Sequence, residues 1–390
     1  MRVLVVIDSL VIGGTEQSVA ELVPRVVDAG IDVTVATLHH RETGYVADLR
    51  RGGHDVRVLR ARGFAAKVRE LRGLLRARTP DVVHTQLFDA DLAGRMAATA
   101  TPTRVLTSLV NTSYEPARRR DPRVRAHRLE VARFVEGWTA RHLTDHFHAV
   151  SATVKASAVR HLGLARERIT VVERGRDPAR LGEPGPERRH RARATLGLDP
   201  DTRVLLNVGR QEFQKGQRDL LEAFDVIAAE RPDVLLLVAG RAGQSSGDLE
   251  ERRRRSPHRE RIRILGARDD VPELLAAADV FVSSSRYEGL PGAMLEALAL
   301  GVPIVASDIA PHRDVVADGA SGLLVPVEDA PALAAAVGRV LDDSALTRAL
   351  AARGREEFAA RFTLDASVRR MIALYDRVAQ PARMRRVASR

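Results

Sequence analysis

The sequence predicts two doubly wound α/β domains, each with a parallel sheet covered by helices on both faces. Short apolar runs alternate with longer helical patterns through both halves of the chain, which is typical of βαβ repetition. The alternation restarts after a polar stretch rich in Pro, Gly and Arg at Asp177–Arg193. The length of 390 residues also exceeds that of one typical domain.

The first half of the chain, residues 1–180, is expected to form one domain. Its strand-length apolar runs are Val3–Ile7, Val33–Thr37, Val56–Leu59, Val82–His84, Val105–Ser108 and Phe147–Val150. The helical patterns between them are Gln17–Ala29, Tyr45–Arg51, Phe64–Ala77, Leu92–Ala100 and Val124–His142. Because helices separate successive strands, the strands are expected to run parallel.

The second half, residues 194–365, repeats this organisation, and we interpret Asp177–Arg193 as an interdomain linker. Its predicted strands are Val204–Val208, Leu235–Ala239, Ile262–Leu265, Val280–Val282, Ile304–Ala306 and Gly322–Val325. Its predicted helices are Arg218–Glu230, Val271–Ala277, Gly292–Leu300, Ala330–Asp342 and Ala345–Phe358. The remaining segment, 366–390, is expected to form a helix at Ala366–Val378 that packs toward the first domain, followed by a basic tail at Arg383–Arg390. Such domains place ligands at the carboxyl ends of their strands, in the crevice between the domains.

The composition excludes several classes of function. Cys is absent, which excludes disulfides, a thiol nucleophile and a Cys-based metal site. No apolar stretch has the length of a membrane span, and Val3–Ile7 is too short for a signal peptide, so a cytoplasmic protein is expected. The net charge of +11 suggests anionic partners, but only three of the 62 basic residues are lysines. This excess of arginine indicates a coding bias, so the charge is discounted as evidence of function. Aromatic residues are only 4% and no nucleic-acid-binding motif occurs, so nucleic acid is not an expected partner.

The most informative segment is FVSSSRYEGLPGAMLEALALGVPIVASD at residues 281–308. Glu288 and Glu296 stand eight residues apart. Between them lie a Gly-rich turn and the start of an apolar helix. Pro291 suits the first position of this helix, where its missing N–H costs nothing. The amides expected to point outward as donors belong to Gly289, Leu290 and Gly292. The helix dipole adds about half a positive charge, which suits a diphosphate. The alternative, two solvated surface glutamates, is disfavoured by the flanking turn and apolar neighbours. The segment therefore predicts a site for a phosphate-bearing polyol such as a nucleotide sugar.

A second motif is NVGRQEFQKGQ at Asn207–Gln217. Arg210 and Lys215 lie in the loop that follows a predicted strand. An arginine can bind phosphate oxygens in a fork and a lysine as a point charge, so both suit a diphosphate. Only three basic residues of the chain are lysines, which makes Lys215 informative. The alternative is an ordinary charged loop.

The remaining candidates lie in the first half. Gly13 and Gly14 form the turn of SLVIGGTE, where glycine allows close backbone approach to a ligand, although a plain βα turn explains them equally well. His84 ends a predicted strand and either lines an acceptor or is a satisfied polar residue. Asp89 and Asp91 resemble a carboxylate pair but more simply cap a helix, and no metal site is expected.

The basic helix Arg118–Arg141 carries Val124, Val131, Val135 and Trp138 on one side. The favoured interpretation is an amphipathic helix docked on the sheet. The alternative is a contact with a membrane surface beside an acceptor site, at the inner face of a membrane.

Taken together, these residues resemble the family-4 group of retaining glycosyltransferases (group 1), which have two Rossmann-like domains in the GT-B architecture. The resemblance covers nearly the whole chain. The quoted motifs carry it, together with LGARDDVPELLAAADVFVSSS and HAVSATVKASAVRHLGLARERITVVE. It implies a hexosyltransferase that moves a sugar from a nucleoside-diphosphate sugar, its co-substrate, to a hydroxyl of a glycan, lipid or small-molecule acceptor.

The resemblance also implies roles for the candidate residues on the donor side. Arg210 and Lys215 would neutralise the diphosphate, Glu288 would bind a sugar hydroxyl, and Glu296 would bind the ribose. The amides of Gly289–Gly292 would take phosphate and sugar oxygens, and Gly14 would approach the phosphate from the first domain. No metal or other cofactor is required, and front-face attack would retain the anomeric configuration.

The sequence departs from the family pattern on the acceptor side. Where many relatives carry a histidine after the strand around residues 105–108, this chain has Val110, followed by Asn111. After a strand at 168–172, a common NGVD reads RGRD, which places Arg174 and Arg176 on the acceptor side. The two arginines favour an anionic acceptor. These departures leave two alternatives to the transferase: a donor-binding pseudoenzyme or partner subunit, and another GT-B enzyme such as a nucleotide-sugar epimerase.

Overall fold

The computed structural model describes residues 1–41 and 44–380. The chain divides into two units, one formed by Met1–Gly175 with the segment from Leu364 onward, the other by Arg176–Thr363. We call them unit 1 and unit 2. The predicted basic tail, Arg383–Arg390, lies outside the described residues.

Unit 1 contains a seven-stranded parallel sheet with the strand order β3-β2-β1-β4-β5-β6-β7. Its strands are β1 (Arg2–Ile7), β2 (Asp32–Thr37), β3 (Asp55–Val58), β4 (Val82–Gln86), β5 (Arg104–Leu109), β6 (His146–Ala149) and β7 (Ile169–Val171). Its first seven helices are α1 (Gly14–Asp28), α2 (Val46–Arg51), α3 (Phe64–Arg78), α4 (Phe88–Ala98), α5 (Pro116–Arg119), α6 (Ala126–Leu143) and α7 (Ala152–Leu162).

Unit 2 contains a six-stranded parallel sheet with the order β10-β9-β8-β11-β12-β13. Its strands are β8 (Arg203–Val208), β9 (Val234–Ala239), β10 (Ile262–Gly266), β11 (Val280–Ser283), β12 (Ile304–Ser307) and β13 (Leu323–Val325). Its helices are α8 (Pro178–Leu181), α9 (Pro186–Thr195), α10 (Gln217–Glu230), α11 (Ser246–Arg255), α12 (Val271–Ala277), α13 (Gly292–Ala299), α14 (Ala310–Arg313), α15 (Ala330–Asp342) and α16 (Ser344–Arg361). The prediction of two doubly wound α/β domains is confirmed.

The last helix, α17 (Leu364–Ala379), belongs to unit 1. Its buried residues recur at helical spacing and join the core formed with strands β1, β2 and β4 and with α1. They are Leu364, Val368, Met371, Leu374, Tyr375 and Val378. The helix therefore covers one face of the sheet, while α3 and α4 pack on the other.

Each sheet has a point at which its strand order reverses, and this point determines where a ligand site can form. In unit 1 it lies between β1 and β4, and in unit 2 between β8 and β11. On either side of such a point the loops leave in opposite directions, so a crevice opens at the carboxyl ends of the two strands. The loops after β8 and β11 carry Arg210, Lys215 and Glu288.

The structure differs from the sequence-based prediction at the proposed linker, at helices α7 and α11, and at α6. The proposed linker, Asp177–Arg193, is largely helical and belongs to unit 2. Arg189 anchors it by donating to the carbonyl of Ala278 at 2.8 Å and to Asp279 at 2.6 Å. Strand β7 lies within the strand at 168–172 that the family pattern indicated, but helices α7 and α11 were not predicted. Helix α11 is strongly polar and therefore gives little periodic signal.

Helix α6 is oriented differently from the favoured interpretation. Its buried residues are mostly small, namely Leu129, Gly137, Thr139 and Ala140. Val131 and Trp138, which were expected to dock on the sheet, are exposed. Across the described residues, no helix combines the length and apolar character needed to cross a membrane.

Candidate functional site

The carboxylate of Glu288 lies at the reversal point of unit 2, where the loops after β8 and β11 meet. It is buried, and three side chains donate to it. Lys215 Nζ lies 2.5 Å from Oε1, Ser285 Oγ 2.8 Å from the same oxygen, and Gln214 Nε2 3.1 Å from Oε2. Burial alone would raise the pKa of Glu288, but the Lys215 ammonium and these hydrogen bonds hold it below its usual value. The group is thus an ionised carboxylate that can only accept hydrogen bonds.

Local backbone geometry brings Lys215 to this carboxylate. A 3₁₀ turn at Phe213–Lys215 ends in Gly216, whose φ of +58° is strained for other residues. A Cβ on Gly216 would lie 2.1 Å from the carbonyl oxygen of Ser284, so the two loops can approach only at a glycine. Ser284 Oγ in turn donates to the carbonyl of Lys215 at 2.9 Å.

Arg286 holds the second loop against the first. Its guanidinium donates to both carboxylate oxygens of Asp219, at 2.7 and 3.0 Å, and to the carbonyl of Phe213 at 2.7 Å. It also lies over the Phe213 ring, 4.3 Å from the centroid. Arg286 was not identified from the sequence, where it appeared only as part of the serine-rich turn.

The second predicted carboxylate, Glu296, is buried inside α13. Arg176 Nε donates to its Oε1 at 2.8 Å, and Arg180 donates to the same oxygen at 3.3 Å. Arg176 is 1% exposed, so this is a buried ion pair. Gly292 makes room for it, because a Cβ there would lie 2.0 Å from a guanidinium nitrogen of Arg176.

This pairing changes the position expected for Arg176. From the sequence, Arg176 was expected with Arg174 on the acceptor side, whereas in the structure it lies in unit 2 and pairs with Glu296. Arg174 belongs to unit 1. The physical reason is the cost of burial: a guanidinium with almost no exposure requires a charged partner, and Glu296 supplies it.

The other donor-side candidates surround these two carboxylates. Pro291 is the N-cap of α13 and directly precedes Gly292, the first helical residue. The amides of the first helical turn have no partner within the helix, which makes this end suitable for an anion. Gly289 and Leu290 lie buried just before it. Arg210 is exposed on the loop after β8, with no ion pair to any described residue.

A buried histidine that the sequence analysis missed lies beside Glu288. His312 is 0% exposed, and its Nδ1 lies 2.6 Å from the carbonyl oxygen of Ser307. Its Nε2 lies 3.3 Å from Ser283 Oγ. Burial lowers the pKa of His312 to about 4, although the nearby Glu288 opposes this shift. The imidazole is therefore neutral, and it packs the end of β12 against β11.

In unit 1, Gly14 begins α1 and lies against Arg174. A Cβ on Gly14 would be 3.2 Å from a guanidinium nitrogen of Arg174, so the missing side chain leaves space for this arginine. Gly13 is the N-cap in an extended conformation. Asp8, at the end of β1, accepts from the amide of Ala90 at 2.7 Å, and burial raises its pKa to about 6. Asp8 was not among the predicted site residues.

His84 takes part in a buried chain of hydrogen bonds. Tyr375 Oη lies 2.7 Å from His84 Nδ1, Ser108 Oγ lies 2.7 Å from both His84 Nε2 and His148 Nδ1, and His148 Nε2 lies 2.8 Å from the carbonyl oxygen of Val172. The carbonyl of Val172 can only accept, so His148 must donate to it. The direction of every other hydrogen bond in this series is then fixed, and Tyr375 donates to His84 at the opposite end. Of the two interpretations of His84, the structure shows a satisfied buried residue, although it also lines a small cavity with Val110 and Arg174.

These two histidines contribute a loss of stability of unit 1 in mild acid, which the raised pKa values of the buried Asp8 and Asp91 oppose. Burial lowers the pKa of His84 from 6.5 to about 3 and that of His148 from 6.5 to about 4. Below pH 6.5 these histidines bind protons in the unfolded chain but not in the folded chain. The stability that the pair contributes is therefore present above pH 6.5 and falls as the pH drops toward 4, by up to about 3 kcal/mol per pH unit.

Urea unfolding of unit 1 at several pH values measures this slope. Relative to the unsubstituted protein, His148→Asn should lower the stability gained per pH unit between pH 4 and 6 by about 1.4 kcal/mol, because one of the two buried histidines is gone. His190→Asn, at an exposed position of unit 2, is the control. A slope that His148→Asn leaves unchanged would contradict the assignment.

The predicted acceptor-side loop after β5 is connected to α6. Asn111 Oδ1 accepts from the amide of Thr112 at 2.8 Å. Tyr114 Oη donates to Glu136 Oε2 on α6 at 2.5 Å. Arg95 on α4 donates to Thr139 Oγ1 of the same helix at 3.1 Å. The loop and the two helices thus form one hydrogen-bonded assembly.

The two aspartates considered as helix caps have other environments. Helix α4 begins at Phe88, so Asp89 and Asp91 lie within its first turn, and Leu87 is the N-cap. Asp91 is buried, with Arg95 3.9 Å away, and burial raises its pKa to about 8. Among residues 1–41 and 44–380, no group of three or more His, Asp or Glu side chains is arranged to hold a metal ion.

Comparison with known proteins identifies relatives of both halves. Residues 188–357 match the family described as Glycosyl transferases group 1, and residues 12–180 match Glycosyltransferase Family 4. The lipopolysaccharide core biosynthesis mannosyltransferase LpsB of Rhizobium meliloti is 30% identical over 213 residues, 53% of this chain and 60% of the relative. The chain thus spans less than two thirds of that relative's length.

Two further relatives extend the comparison. An Escherichia coli UDP-Gal:alpha-D-GlcNAc-diphosphoundecaprenol alpha-1,3-galactosyltransferase is 28% identical over 277 residues, 70% of this chain and 69% of the relative. The crystal structure of Anabaena Alr3699/HepE in complex with UDP-glucose has a TM-score of 0.86 at 20% identity and covers 96% of this chain and 99% of that chain. This likeness shows the two-domain, Rossmann-like GT-B fold. Since the two family matches cover both halves, the chain belongs to the family 4, group 1 glycosyltransferases.

Proposed function

We propose that the protein transfers a sugar from a nucleoside-diphosphate sugar to a hydroxyl of a glycan, lipid or small-molecule acceptor, with retention of configuration and without a metal. The observation that carries this proposal is the ion pair of Lys215 with the buried Glu288 at the reversal point of unit 2. A cation and a helix N-terminus suit the diphosphate of a nucleotide sugar, and a fixed carboxylate suits a hydroxyl of its sugar. The family membership of the chain agrees with this chemistry.

The donor would be bound by unit 2 through complementary charges. The diphosphate lies against Lys215 and Arg210 and at the N-terminus of α13, with Gly289–Gly292. Glu288 accepts a hydrogen bond from a hydroxyl of the sugar, since its lowered pKa keeps it ionised. A carboxylate has roughly four acceptor sites, so Glu296 can hold Arg176 and still accept the ribose hydroxyls.

The transfer step follows from this arrangement. The bond between the anomeric carbon and the diphosphate oxygen breaks, and the negative charge that develops on the leaving diphosphate is stabilised by Lys215, Arg210 and the dipole of α13. The acceptor hydroxyl forms its bond on the same face of the sugar, which retains the configuration. Its proton moves to an oxygen of the departing diphosphate, so no protein base is required.

A screen of nucleotide sugars tests the proposal directly. We expect one nucleoside diphosphate and its sugar to raise the melting temperature of the full chain by mass action. The UDP sugars are the first to test, because the E. coli relative is named for UDP-Gal and the Anabaena structure holds UDP-glucose. NMR of the product should show the donor's anomeric configuration, and turnover should persist in EDTA.

Each outcome bears on a separate part of the proposal. Inversion at the anomeric carbon would contradict the proposed front-face attack, and loss of turnover in EDTA would contradict metal independence. A pseudoenzyme would bind the nucleotide sugar without hydrolysing it even slowly in the absence of acceptor. An epimerase would convert the nucleotide sugar into its epimer, without transfer.

A further inference from the structure

The outer face of α6 exposes three large apolar side chains that the proposed transfer does not use. Val131 is 62% exposed, Phe134 69% and Trp138 47%. Their spacing of three and four residues places them on one side of the helix. Exposure of such a row to water is unfavourable. The row therefore indicates a surface that another molecule or a membrane covers in the working protein.

Basic side chains border this row at its N-terminal end. Arg125 and Arg128 are exposed, and neither forms an ion pair with another described residue. Arg119 before the helix and Arg133 further along it differ from these two, because both pair with Glu130. Uncompensated positive charge therefore concentrates where the apolar row begins.

The opposite side of α6 is fixed to unit 1, so the row cannot be hidden by rotation of the helix. Leu129 and Ala140 are buried on that side. Tyr114 donates to Glu136 at 2.5 Å, and Arg95 donates to Thr139 at 3.1 Å. A helix held by buried polar contacts on one side presents a permanent face on the other.

We propose that the outer face of α6, formed by Val131, Phe134 and Trp138 with Arg125 and Arg128, binds the surface of an anionic lipid bilayer. An indole ring is stable at the boundary between headgroups and acyl chains, where it meets both apolar and polar surroundings. Arginines beside an apolar row complement anionic headgroups, and helices of this composition lie in the plane of the interface. This inference does not depend on the proposed function.

The chain contains a built-in reporter for this contact, because Trp138 is its one tryptophan. The full-length protein is mixed with vesicles of phosphatidylcholine alone or of phosphatidylcholine with phosphatidylglycerol. We expect the Trp138 emission to shift to shorter wavelength, and the protein to sediment, with the anionic vesicles. Each of Arg125→Ser and Arg128→Ser should weaken binding by about fivefold.

Two variants and a control test the apolar part of the surface. Phe134→Asp should abolish sedimentation with the anionic vesicles, and Val131→Ser should reduce it; circular dichroism checks that both remain folded. Val226→Asp on α10 of unit 2, where the valine is 45% exposed, should bind as the unsubstituted protein does.

Three results would overturn the proposal. They are no spectral shift with anionic vesicles, equal loss of binding in Val226→Asp, and a shift without vesicles that grows with protein concentration. The last would assign the face to a second copy of the chain.

Discussion

Replacing Lys215 with alanine should lower kcat/KM by about a hundredfold to a thousandfold, the range seen when one donor to a developing oxyanion is removed. Lys215 is the cation nearest to Glu288 and one of two placed to neutralise the leaving diphosphate. Nucleoside-diphosphate affinity should fall with it. Lys215→Arg should recover part of the kcat/KM and part of the affinity, because a guanidinium keeps the positive charge but differs in shape from an ammonium.

A matched control distinguishes this effect from a general loss of positive charge in unit 2. Arg218 lies three residues further along, at the start of α10, and its side chain is 67% exposed. Its partner is Glu222 on the same helix, a surface pair that contributes little to stability. Arg218→Ala should therefore leave kcat/KM unchanged.

A double variant separates a structural role of Lys215 from a role in catalysis. If Lys215 and Glu288 served only to compensate each other's charge, Lys215→Met combined with Glu288→Gln would remove both charges and restore activity. Our account predicts that the double variant stays as inactive as Lys215→Met while its stability recovers. Restored turnover would contradict it.

Replacing Arg176 with methionine should destabilise unit 2 by about 3–5 kcal/mol, since it leaves the buried Glu296 with an incomplete partner. The melting temperature of unit 2 should fall by about 10 °C. Arg180 compensates poorly, because it lies 3.3 Å from Glu296 and its side chain is 39% exposed. Arg180→Met should therefore cost less than about 1 kcal/mol.

A second variant tests whether Glu296 also binds the nucleotide. Arg176→Met with Glu296→Gln removes both buried charges and should recover most of the stability. Its affinity for nucleoside diphosphates should stay below that of the wild-type protein, because the proposed acceptor of the ribose hydroxyls is lost. Wild-type affinity in this double variant would leave Glu296 with a structural role alone.

The sequence predicted the parts of the molecule that depend on local patterns. Apolar periodicity indicated both sheets, and the Gly-rich turn between Glu288 and Glu296 indicated a ligand site. Both loops were assigned to a diphosphate from their motifs, but the contact between Lys215 and Glu288 was not predicted. It arises because loops after strands that flank a reversal point converge.

The features that sequence reasoning missed depend on distant contacts or on small residues. Arg176 and Glu296 are 120 positions apart, so no spacing rule connects them. The amphipathic pattern of α6 was recognised, but its buried side consists largely of Gly137, Thr139 and Ala140, which carry little apolar signal. The larger residues were therefore assigned to the wrong side of the helix.

Hydrogen–deuterium exchange of the full chain, with and without saturating nucleoside diphosphate, tests the central claim most directly. We predict that bound nucleotide slows exchange in two segments of unit 2, residues 209–217 and 284–300, and that Lys215→Ala removes this protection. Nucleotide that binds without protecting either segment would contradict the assignment of the donor site to Lys215, Glu288 and Glu296.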